Sequence, residues 1–302
     1  MHKISIIAPA YQAEEFIQRY IDCILNLDYK NLQLIIINDG STDNTNNIIE
    51  KNRSTIISKG IEFIYINLVE NKGQAFALNL GLKYVTGAYL SWHDVDDIFE
   101  SNCLSKCLEL ALKNPECKTI FSKAAVINEN GTSITKGNKE LFIPEKDYVH
   151  KNLFLDYIYG HNVIYGPLRF VETETLFKVL KDKSIYMTSG GQNLQIFLPM
   201  VYAHDWIYTD EVLSKYIIRG NSHSRCIKRE ERIKTRFYTL INTIFRMKIP
   251  LIIKLYYCLF VIHKLLFKDC KLLRININPK RRIFKLHLLN KEILNFCDKK
   301  SK

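Results

Sequence analysis

At residues 88–97 the chain reads AYLSWHDVDD, a short apolar run that ends in three carboxylates within four positions. Carboxylates this close raise one another's pKa values, and a divalent cation relieves the repulsion. Hard oxygen ligands suit Mg²⁺ or Mn²⁺, and Mg²⁺ is commonly held by one or two carboxylates and the phosphates of a substrate. The stretch therefore predicts a metal and phosphate site at a strand end, against the alternative of a solvated acidic turn.

This run is the fourth in a series of strand-like segments. Apolar stretches typical of strands buried on both faces occur at 4–8, 32–37, 61–66 and 89–92. Helices are predicted between them at 17–25, from a cap at Thr42 or Asp43 to Lys59, and from 71–73 to Tyr84. Strands that alternate with helices predict a parallel, doubly wound α/β sheet with right-handed crossovers.

Polar residues follow the end of each of these strands. They are Tyr11, Asp39, 71–72 and 94–97. Ligands of doubly wound sheets bind outside the carboxyl ends of the strands, so these residues are expected to converge on one crevice. An aromatic end suits a base and an acidic end suits metal-bound phosphates, which predicts a nucleotide-like ligand. Neither GxGxxG nor GxxxxGK[ST] occurs, which excludes the ordinary dinucleotide and P-loop interpretations.

Length and charge constrain the architecture. At 302 residues, with 47% hydrophobic and 25% charged residues, the chain can bury a large core, and one large domain plus an appendage is expected. The net charge of +12 is uneven, because residues 219–302 contain 22 Lys and Arg against 5 Asp and Glu, whereas residues 1–218 contain 21 against 26. A slightly acidic body with a strongly basic tail predicts an anionic partner for the tail alone.

The eight cysteines form no CxxC pair and are typical of reduced thiols in a cytoplasmic protein. Cys107 shares helical spacing with Leu104 and Leu108, so we interpret it as a core residue rather than a metal ligand. The N-terminus enters a strand-like run at once, without a charged region followed by a long apolar one. No secretory signal is therefore predicted.

Several spaced motifs resemble those of family-2 glycosyltransferases. They are SIIAPAYQ at 5–12, NDGSTD at 38–43, ENKGQAFALNLGL at 70–82 and HDVDD at 93–97. They occur in the family's order within the first 100 residues. The resemblance implies the GT-A nucleotide-diphospho-sugar transferase fold, a Rossmann-like α/β architecture with a mostly parallel sheet flanked by helices. Here a basic helical extension would follow it at the C-terminus.

The same resemblance implies which residues surround the nucleobase of a nucleotide sugar. Ala8, Pro9 and Tyr11 would border the base. Asp39, in the NDGS run, would hydrogen-bond a uracil. Lys72 stands where a basic residue of the family commonly approaches the base.

The resemblance also assigns the acidic end of the crevice. Asp94 and Asp96 would lie against the ribose and the phosphates. Asp96 or Asp97 would reach the metal ion, Mn²⁺ or Mg²⁺, and both are retained as candidate metal ligands.

The run SGGQN at 189–193, with SHS at 222–224, resembles a branch of bacterial surface-polysaccharide transferases of the capsule and O-antigen type. Gln192 and Asn193 stand where inverting members usually carry a Glu-Asp pair whose Asp is the catalytic base. A carboxamide cannot accept a proton at neutral pH, so these two are expected to orient the acceptor hydroxyl instead. The candidate bases are His161, Glu172, Glu174, His204 and Asp205. Each of them is better explained as a surface or structural residue, because such residues are common on loops.

The remaining patterns give a coarse division of the chain. Further predicted elements are a helix at 101–113, a strand at 119–127 with a turn at 128–131, loops and short elements over 132–166, a helix at 172–181 and an edge strand or covering segment at 213–218. The catalytic domain would span 1–225, with a nucleotide-binding half at 1–100 and an acceptor half at 101–225. The basic, apolar helical tail would span 226–302.

The tail combines apolar helical faces with excess positive charge. Its longest uninterrupted apolar run, Leu255–Ile262, is too short to span a bilayer, which takes about 20 residues. A basic, aromatic helix pair favours binding to an anionic membrane surface. The alternative is a helical subdomain that packs on the body or on a partner subunit. Nucleic acid is disfavoured, because no nucleic-acid-binding motif accompanies the charge.

Together these patterns predict a metal-dependent glycosyltransferase. It would transfer a sugar from a nucleotide-sugar donor, UDP-linked by preference, to a polysaccharide or lipid-linked glycan acceptor in surface polysaccharide biosynthesis, with inversion. It would be cytoplasmic and peripheral on the inner face of the cell membrane. The alternatives are a non-catalytic nucleotide-sugar-binding protein, suggested by Gln192 and Asn193, and a scaffold at the membrane surface.

Overall fold

The computed structural model describes residues 2–134, 153–159, 166–188, 190–219, 229–266, 276–278 and 283–285. Its main feature is an eight-stranded mixed sheet, whose strands lie in the spatial order 62–67, 32–38, 4–10, 89–92, 170–172, 117–128, 205–218 and 98–99. Helices cover both faces of this sheet. The architecture confirms the predicted α/β class with a mostly parallel sheet flanked by helices.

The first half of the sheet has the predicted alternating pattern. Its strands are β1 (Ile4–Ala10), β2 (Leu32–Asn38), β3 (Glu62–Asn67) and β4 (Tyr89–Trp92), and its helices are α1 (Ile17–Leu25), α2 (Thr45–Ser58) and α3 (Gln74–Leu82). All four strands are parallel, with Ile7 opposite Ile35 on one side and Trp92 on the other. Their carboxyl ends therefore meet at a single edge.

The second half of the sheet is mixed. Its strands are β5 (Ile98–Phe99), β6 (Cys117–Asn128), β7 (Phe170–Glu172) and β8 (Asp205–Ile218). Strand β7 runs antiparallel to β4 and to β6, while β8 runs parallel to β6. The expectation of an edge strand at 213–218 is wrong, because β8 pairs with β6 on one side and β5 on the other.

Two predicted boundaries shift for local reasons, and one predicted turn is confirmed. Helix α2 begins at Thr45, whose amide donates to Asp43 Oδ1 at 3.1 Å, whereas the Thr42 amide donates to Gln12 in the β1–α1 loop. The helix predicted from residue 172 begins at Thr173, as α6 (Thr173–Val179), since Glu172 pairs with Tyr89 in the sheet. The predicted turn at 128–131 is confirmed by a bond from the Gly131 amide to the Asn128 carbonyl, 3.0 Å, with Gly131 at φ +76°.

Two apolar cores lie on opposite faces of the sheet. Alternate residues of β1 divide between them, with Ile6 in one and Ile7 in the other, both fully buried. One core is shared with α1, α2 and α4 (Cys103–Lys113), and it confirms Cys107 as a core residue. The other receives α3, α5 (Leu153–Tyr159), α6 and α7 (Gln192–Ala203). The predicted loop region thus contains one packed helix, and residues 135–152 and 160–165 lie outside the described part.

Two long helices follow the main sheet, α8 (Arg229–Arg246) and α9 (Leu251–Leu266). Their inner faces contribute Leu240, Ile244, Met247 and Tyr257 to the core that contains α7. The inner faces of both helices therefore pack on the body, which agrees with one of the two alternatives for the tail. Short strands β9 (Asn276–Asn278) and β10 (Ile283–Lys285) pair with each other antiparallel. Among the helices that the structure describes, none is both long and apolar enough to cross a membrane.

Candidate functional site

The loops at the carboxyl ends of β1, β2, β3 and β4 are joined by hydrogen bonds. The Gln12 amide donates to Ser41 Oγ at 2.9 Å, which ties the β1 loop to the β2 loop. Asp39 accepts from the β3 loop, and Gln74 Nε2 donates to Asp94 Oδ1 at 2.9 Å, which ties the β3 loop to the acidic cluster. The four strand ends therefore converge at one edge of the sheet, as predicted, and the ligand crevice that they would line stays a prediction.

Asp39 holds the loop that follows β3 through hydrogen bonds to its backbone. It is 3% exposed, and its two carboxylate oxygens accept from the backbone amides of Lys72 and Gly73, both at 2.8 Å. The next residue, Gly40, has φ +70°, and a Cβ there would lie 2.3 Å from the Glu70 carbonyl carbon. Only glycine fits so close to the Glu70 backbone. The NDGS run is therefore needed for the packing of these two loops, whether or not it also contacts a ligand. The contact with a uracil stays a prediction.

The base-binding residues implied by the family differ in how open they are. Tyr11 is 52% exposed at the end of β1, whereas Ala8 is fully buried within the strand and Pro9 is half-buried. Lys72 is exposed, and its ammonium lies 3.5 Å from Glu70 and 5.3 Å from the centre of the Phe76 ring. Tyr11 and Lys72 can therefore reach a ligand directly, while Ala8 shapes the strand beneath.

Asp94 is held by an arginine that the sequence analysis did not identify. Arg169, 5% exposed and directly before β7, donates from Nη2 to Asp94 Oδ2 at 2.5 Å and from Nη1 to the Trp92 carbonyl at 3.3 Å. Burial alone would raise the pKa of Asp94, but the charge and hydrogen bond of Arg169 outweigh it, so the pKa lies below its usual value. Asp94 is thus an anion with a fixed orientation.

Asp96 lies among cations that come from distant parts of the chain. Its carboxylate pairs with Arg219 at the end of β8, and its backbone carbonyl accepts from Arg19 Nη2 at 2.8 Å. The Arg219 guanidinium lies 4.3 Å from the centre of the Phe16 ring. Burial and the charge of Asp94 nevertheless raise the pKa of Asp96. Its carboxylate remains one-quarter exposed.

Asp97 lies beneath the surface. It is 1% exposed and accepts from the Ile217 amide at 3.3 Å. Burial, followed by the charges of Asp96 and Asp94, raises its pKa well above the usual range. A protonated carboxyl offers a poorer ligand to a cation than an ionised one.

The donor set at this edge fits a divalent ion in one specific way. In the described ranges, no group of three or more His, Cys, Asp or Glu side chains is arranged to hold a metal ion. A magnesium-type site needs only one or two carboxylates, because waters and substrate phosphates complete it. Asp96 and Asp94 are both partly exposed, at 25% and 30%. Asp96 fits that role if an incoming ion replaces its ion pair with Arg219.

Asn193 lies beside the end of β4. The Trp92 indole Nε1 donates to Asn193 Oδ1 at 2.8 Å, which places the start of α7 beside the strand that ends in the acidic cluster. Asn193 is half-buried and Gln192 is 8% exposed. The bond from Trp92 orients the Asn193 amide, whose NH₂ pair can donate to a ligand. A position of both residues at the acceptor stays a prediction.

The described candidate bases lie at the opposite end of the sheet. Glu172 stands opposite Tyr89 and bonds Lys118 Nζ at 2.7 Å, and strand spacing puts it about 16 Å from Asp94. Asp205 begins β8 opposite Cys117 at the same end. The four residues Glu172, Glu174, His204 and Asp205 are therefore excluded as bases for this crevice. His161 lies outside the described residues.

Comparison with solved structures identifies the class of fold. TarS from S. aureus (residues 1–349, in complex with UDP-GlcNAc) superposes with a TM-score of 0.63 at 18% identity, covering 87% of this chain and 72% of that one. The mannosyltransferase PcManGT from Pyrobaculum calidifontis, in complex with GDP-Man and Mn²⁺, gives a TM-score of 0.54 at 14% identity, covering 87% and 70%. These likenesses confirm the GT-A fold.

The family follows from sequence. Residues 5–170 match the family model Glycosyl transferase family 2, and the chain belongs to that family. It is 33% identical over 139 residues to a chondroitin synthase of Pasteurella multocida, covering 44% of this chain and 13% of that protein. It is 29% identical over 133 residues to TuaG of Bacillus subtilis, a putative teichuronic acid biosynthesis glycosyltransferase, covering 44% and 51%. The chain thus spans about half, or less, of these relatives.

Proposed function

We propose that this protein transfers a sugar from a nucleotide-sugar donor, UDP-linked by preference, to a polysaccharide or lipid-linked glycan acceptor in surface polysaccharide biosynthesis. The observation that carries the proposal is the joining of four strand-end loops into one crevice, with exposed Tyr11 at one end and the Asp94–Asp97 cluster at the other. Family membership and the polysaccharide activities named for TuaG and the chondroitin synthase support it.

In the proposed complex, Tyr11, Asp39 and Lys72 face the base. Asp94, oriented by Arg169, and Asp96 lie against the ribose and the diphosphate. Mn²⁺ or Mg²⁺ would be held by Asp96, with Asp97 beneath it as the second carboxyl, and would supply Lewis-acid stabilisation of the leaving nucleoside diphosphate. The Mn²⁺ present with PcManGT supports a divalent ion in this fold.

Gln192 and Asn193 are proposed to orient the acceptor hydroxyl. Asn193 is fixed through its oxygen by Trp92, so its NH₂ can donate to an acceptor oxygen beside the crevice. The hydroxyl oxygen then bonds the anomeric carbon from the side opposite the diphosphate, with inversion. The bond between that carbon and the diphosphate oxygen breaks, and the hydroxyl proton passes to solvent. Positioning alone supplies a large part of such a rate enhancement.

The test is nucleotide release from a panel of UDP- and GDP-sugars with Mn²⁺, with and without candidate glycan acceptors. One donor should be consumed in a metal-dependent way, and Asp96→Ala should abolish the turnover. Asp22→Ala, which removes an exposed carboxylate on α1, is the matched control and should leave turnover unchanged. Clear UDP binding without turnover of any donor would favour the non-catalytic alternative.

A second proposal concerns attachment to a membrane. Helix α9 exposes a stripe of large apolar side chains, Leu251, Ile252, Leu255, Leu259 and Ile262, at 63, 73, 44, 66 and 38% exposure. At about 100° per residue these positions fall within roughly one-third of the helix circumference. We propose that the stripe rests on an anionic lipid surface, which would place the protein on the inner face of the cell membrane.

Charge argues for lipid rather than another occupant. Residues 267–302, which continue the chain from α9, contain 11 Lys and Arg against 3 Asp and Glu. Basic residues next to an apolar helix face are attracted to anionic headgroups by about 1 kcal/mol each. A second copy of the chain would bring like charges together at the same surface.

Vesicle flotation tests this proposal. The protein should bind phosphatidylglycerol vesicles more strongly than phosphatidylcholine vesicles, and Leu255→Glu with Leu259→Glu should abolish the difference. Val69→Glu, at a fully exposed apolar residue in the β3 loop, is the control and should bind as the wild type does. Equal binding by the double variant, or concentration-dependent dimerisation in its place, would contradict the lipid assignment.

A further inference from the structure

A chain of three buried polar side chains lies beneath the acidic cluster. Tyr20 on α1, Ser91 in β4 and His93 are each 0% exposed. Tyr20 Oη lies 3.2 Å from His93 Nδ1, and Ser91 Oγ lies 2.8 Å from His93 Nε2. The imidazole also stacks on Phe99, with ring centres 3.9 Å apart. An ionisable ring enclosed in this way needs a reason beyond packing, because apolar residues fill such sites at lower desolvation cost.

The bonds of Ser91 determine which ring nitrogen carries the proton. Ser91 Oγ donates its only hydrogen to the Arg169 carbonyl at 2.6 Å, and a carbonyl can only accept. Toward His93, Ser91 can therefore only accept, so Nε2 carries the hydrogen. Nδ1 is then an acceptor, and the Tyr20 hydroxyl must donate to it. The neutral ring has a single tautomer, and the direction of every bond in the chain is defined.

This chain of bonds ends at the residue that orients Asp94. The Arg169 carbonyl is fixed by Ser91, while the Arg169 guanidinium bonds both the Trp92 carbonyl and the Asp94 carboxylate. Strand β7 has three residues and pairs with β4 and β6, and Arg169 lies just before it, outside both ladders. His93 and Ser91 supply the additional anchor.

We propose that His93 is a positioning residue for the nucleotide-sugar site. Through Ser91 it holds the main chain of Arg169, and Arg169 in turn holds Asp94 in the orientation that receives the ribose and diphosphate. The inference rests on the proposed function. His93 touches no ligand, so its removal should weaken donor binding more than it slows turnover of bound donor.

The test measures UDP binding with Mn²⁺ by calorimetry, together with donor KM and kcat. His93→Leu, which removes both polar contacts, should raise the Kd of UDP and the donor KM about tenfold, with a much smaller change in kcat. Ser91→Ala should behave in the same way. His93→Gln, which retains one donor and one acceptor, should recover most of the affinity.

The matched control is Ser5→Ala. Ser5 is also fully buried, donates to Gln33 Oε1 at 2.5 Å and accepts from the Gly87 amide at 2.8 Å, but both partners lie away from the crevice. Ser5→Ala should lower stability by an amount similar to Ser91→Ala while UDP affinity stays at the wild-type value. If the two serine variants weaken UDP binding equally, the effect is one of general stability and the inference is wrong.

A spectroscopic readout separates the tautomer from the binding effect. In ¹⁵N NMR, one imidazole, assigned by its absence in His93→Gln, should show a protonated Nε2 and a bare Nδ1 between about pH 5 and 8.

Wild-type affinity in His93→Leu would overturn the inference and leave the proposed function standing. Failure of the wild type to bind any nucleotide would overturn both.

Discussion

Asp39 and Asp94 each join two loops of the crevice. Asp39 accepts from two backbone amides of the β3 loop, and Asp94 accepts from Gln74 and Arg169. Their orientations are therefore set within the protein itself, before a donor arrives. Such preorganisation lowers the ordering cost of binding.

The role of Asp39 predicts a specific cost for its amide analogue. In Asp39→Asn, the side-chain NH₂ would face a backbone N–H of Lys72 or Gly73, so one buried donor loses its acceptor. We expect the free energy of unfolding to fall by about 2 kcal/mol in urea titrations. Asp22→Asn, on the exposed face of α1, should stay near the wild-type value. Equal stability of the two variants would contradict the assignment.

The buried imidazole of His93 predicts a dependence of stability on pH. Burial, followed by the charge of Arg169, lowers the pKa of His93 to about 3, although the charge of Asp94 acts to raise it. Below about pH 6.5 the unfolded chain binds a proton that the folded chain does not. This histidine therefore lowers the free energy of unfolding by about 1.4 kcal/mol per pH unit as the pH falls toward 3.

The measurement is the difference in unfolding free energy between the wild type and His93→Gln from pH 7 to pH 4. The raised pKa of Asp97 acts in the opposite direction, because the folded chain retains that proton, but Asp97 is present in both proteins and cancels in the difference. The advantage of the wild type over the variant should shrink as the pH falls. A difference that does not change with pH would contradict the buried neutral ring.

At the scale of elements, the helices and strands that have a local apolar pattern were predicted from the sequence. Strands β1 to β4 and helices α1 to α3 follow apolar patterns, with errors of a few residues at their ends. Strands β5 and β7 are two and three residues long, and their pairing depends on partners 50 or more positions away. Arg169 meets Asp94 only through that antiparallel pairing, so no local pattern could have assigned it.

Helix α7 shows a similar dependence on distant contacts. Gly191 precedes it at φ +79°, and a Cβ there would lie 2.9 Å from Thr239 Cγ2 on α8. The SGGQN run was interpreted as a functional motif, and its glycine is also required by the packing of α8. The motif and the C-terminal helices are therefore structurally linked, while the domain boundary at 225 remains a proposal.

This packing predicts the outcome of a substitution. Gly191→Ala should lower the free energy of unfolding by about 1–2 kcal/mol, from the left-handed backbone and the close contact with Thr239. Adding Thr239→Ser removes the Cγ2 methyl, so the double variant should lose less than the sum of the two single variants. Strict additivity, measured by thermal and urea unfolding, would contradict a direct contact between these helices.

At the scale of the molecule, one sheet brings both halves of the site together. The parallel strands carry the residues that the family motifs identify, and the mixed half carries Arg169 and Arg219, which complete the acidic end. The likeness to TarS over 87% of this chain confirms that both halves belong to one fold. The central claim is that a single crevice binds the nucleotide from the base at Tyr11 to the diphosphate at Asp96.

The most direct measurement compares UDP and uridine binding, each with Mn²⁺, in the wild type, Tyr11→Ala and Asp96→Ala. Tyr11→Ala should weaken both ligands by a similar factor, because both contain the base. Asp96→Ala should weaken UDP strongly and uridine much less, because Asp96 would hold the ion that binds the diphosphate, which uridine lacks. If Tyr11→Ala leaves both affinities unchanged, or if Asp96→Ala affects the two ligands equally, the base and the diphosphate do not bind along this crevice as proposed.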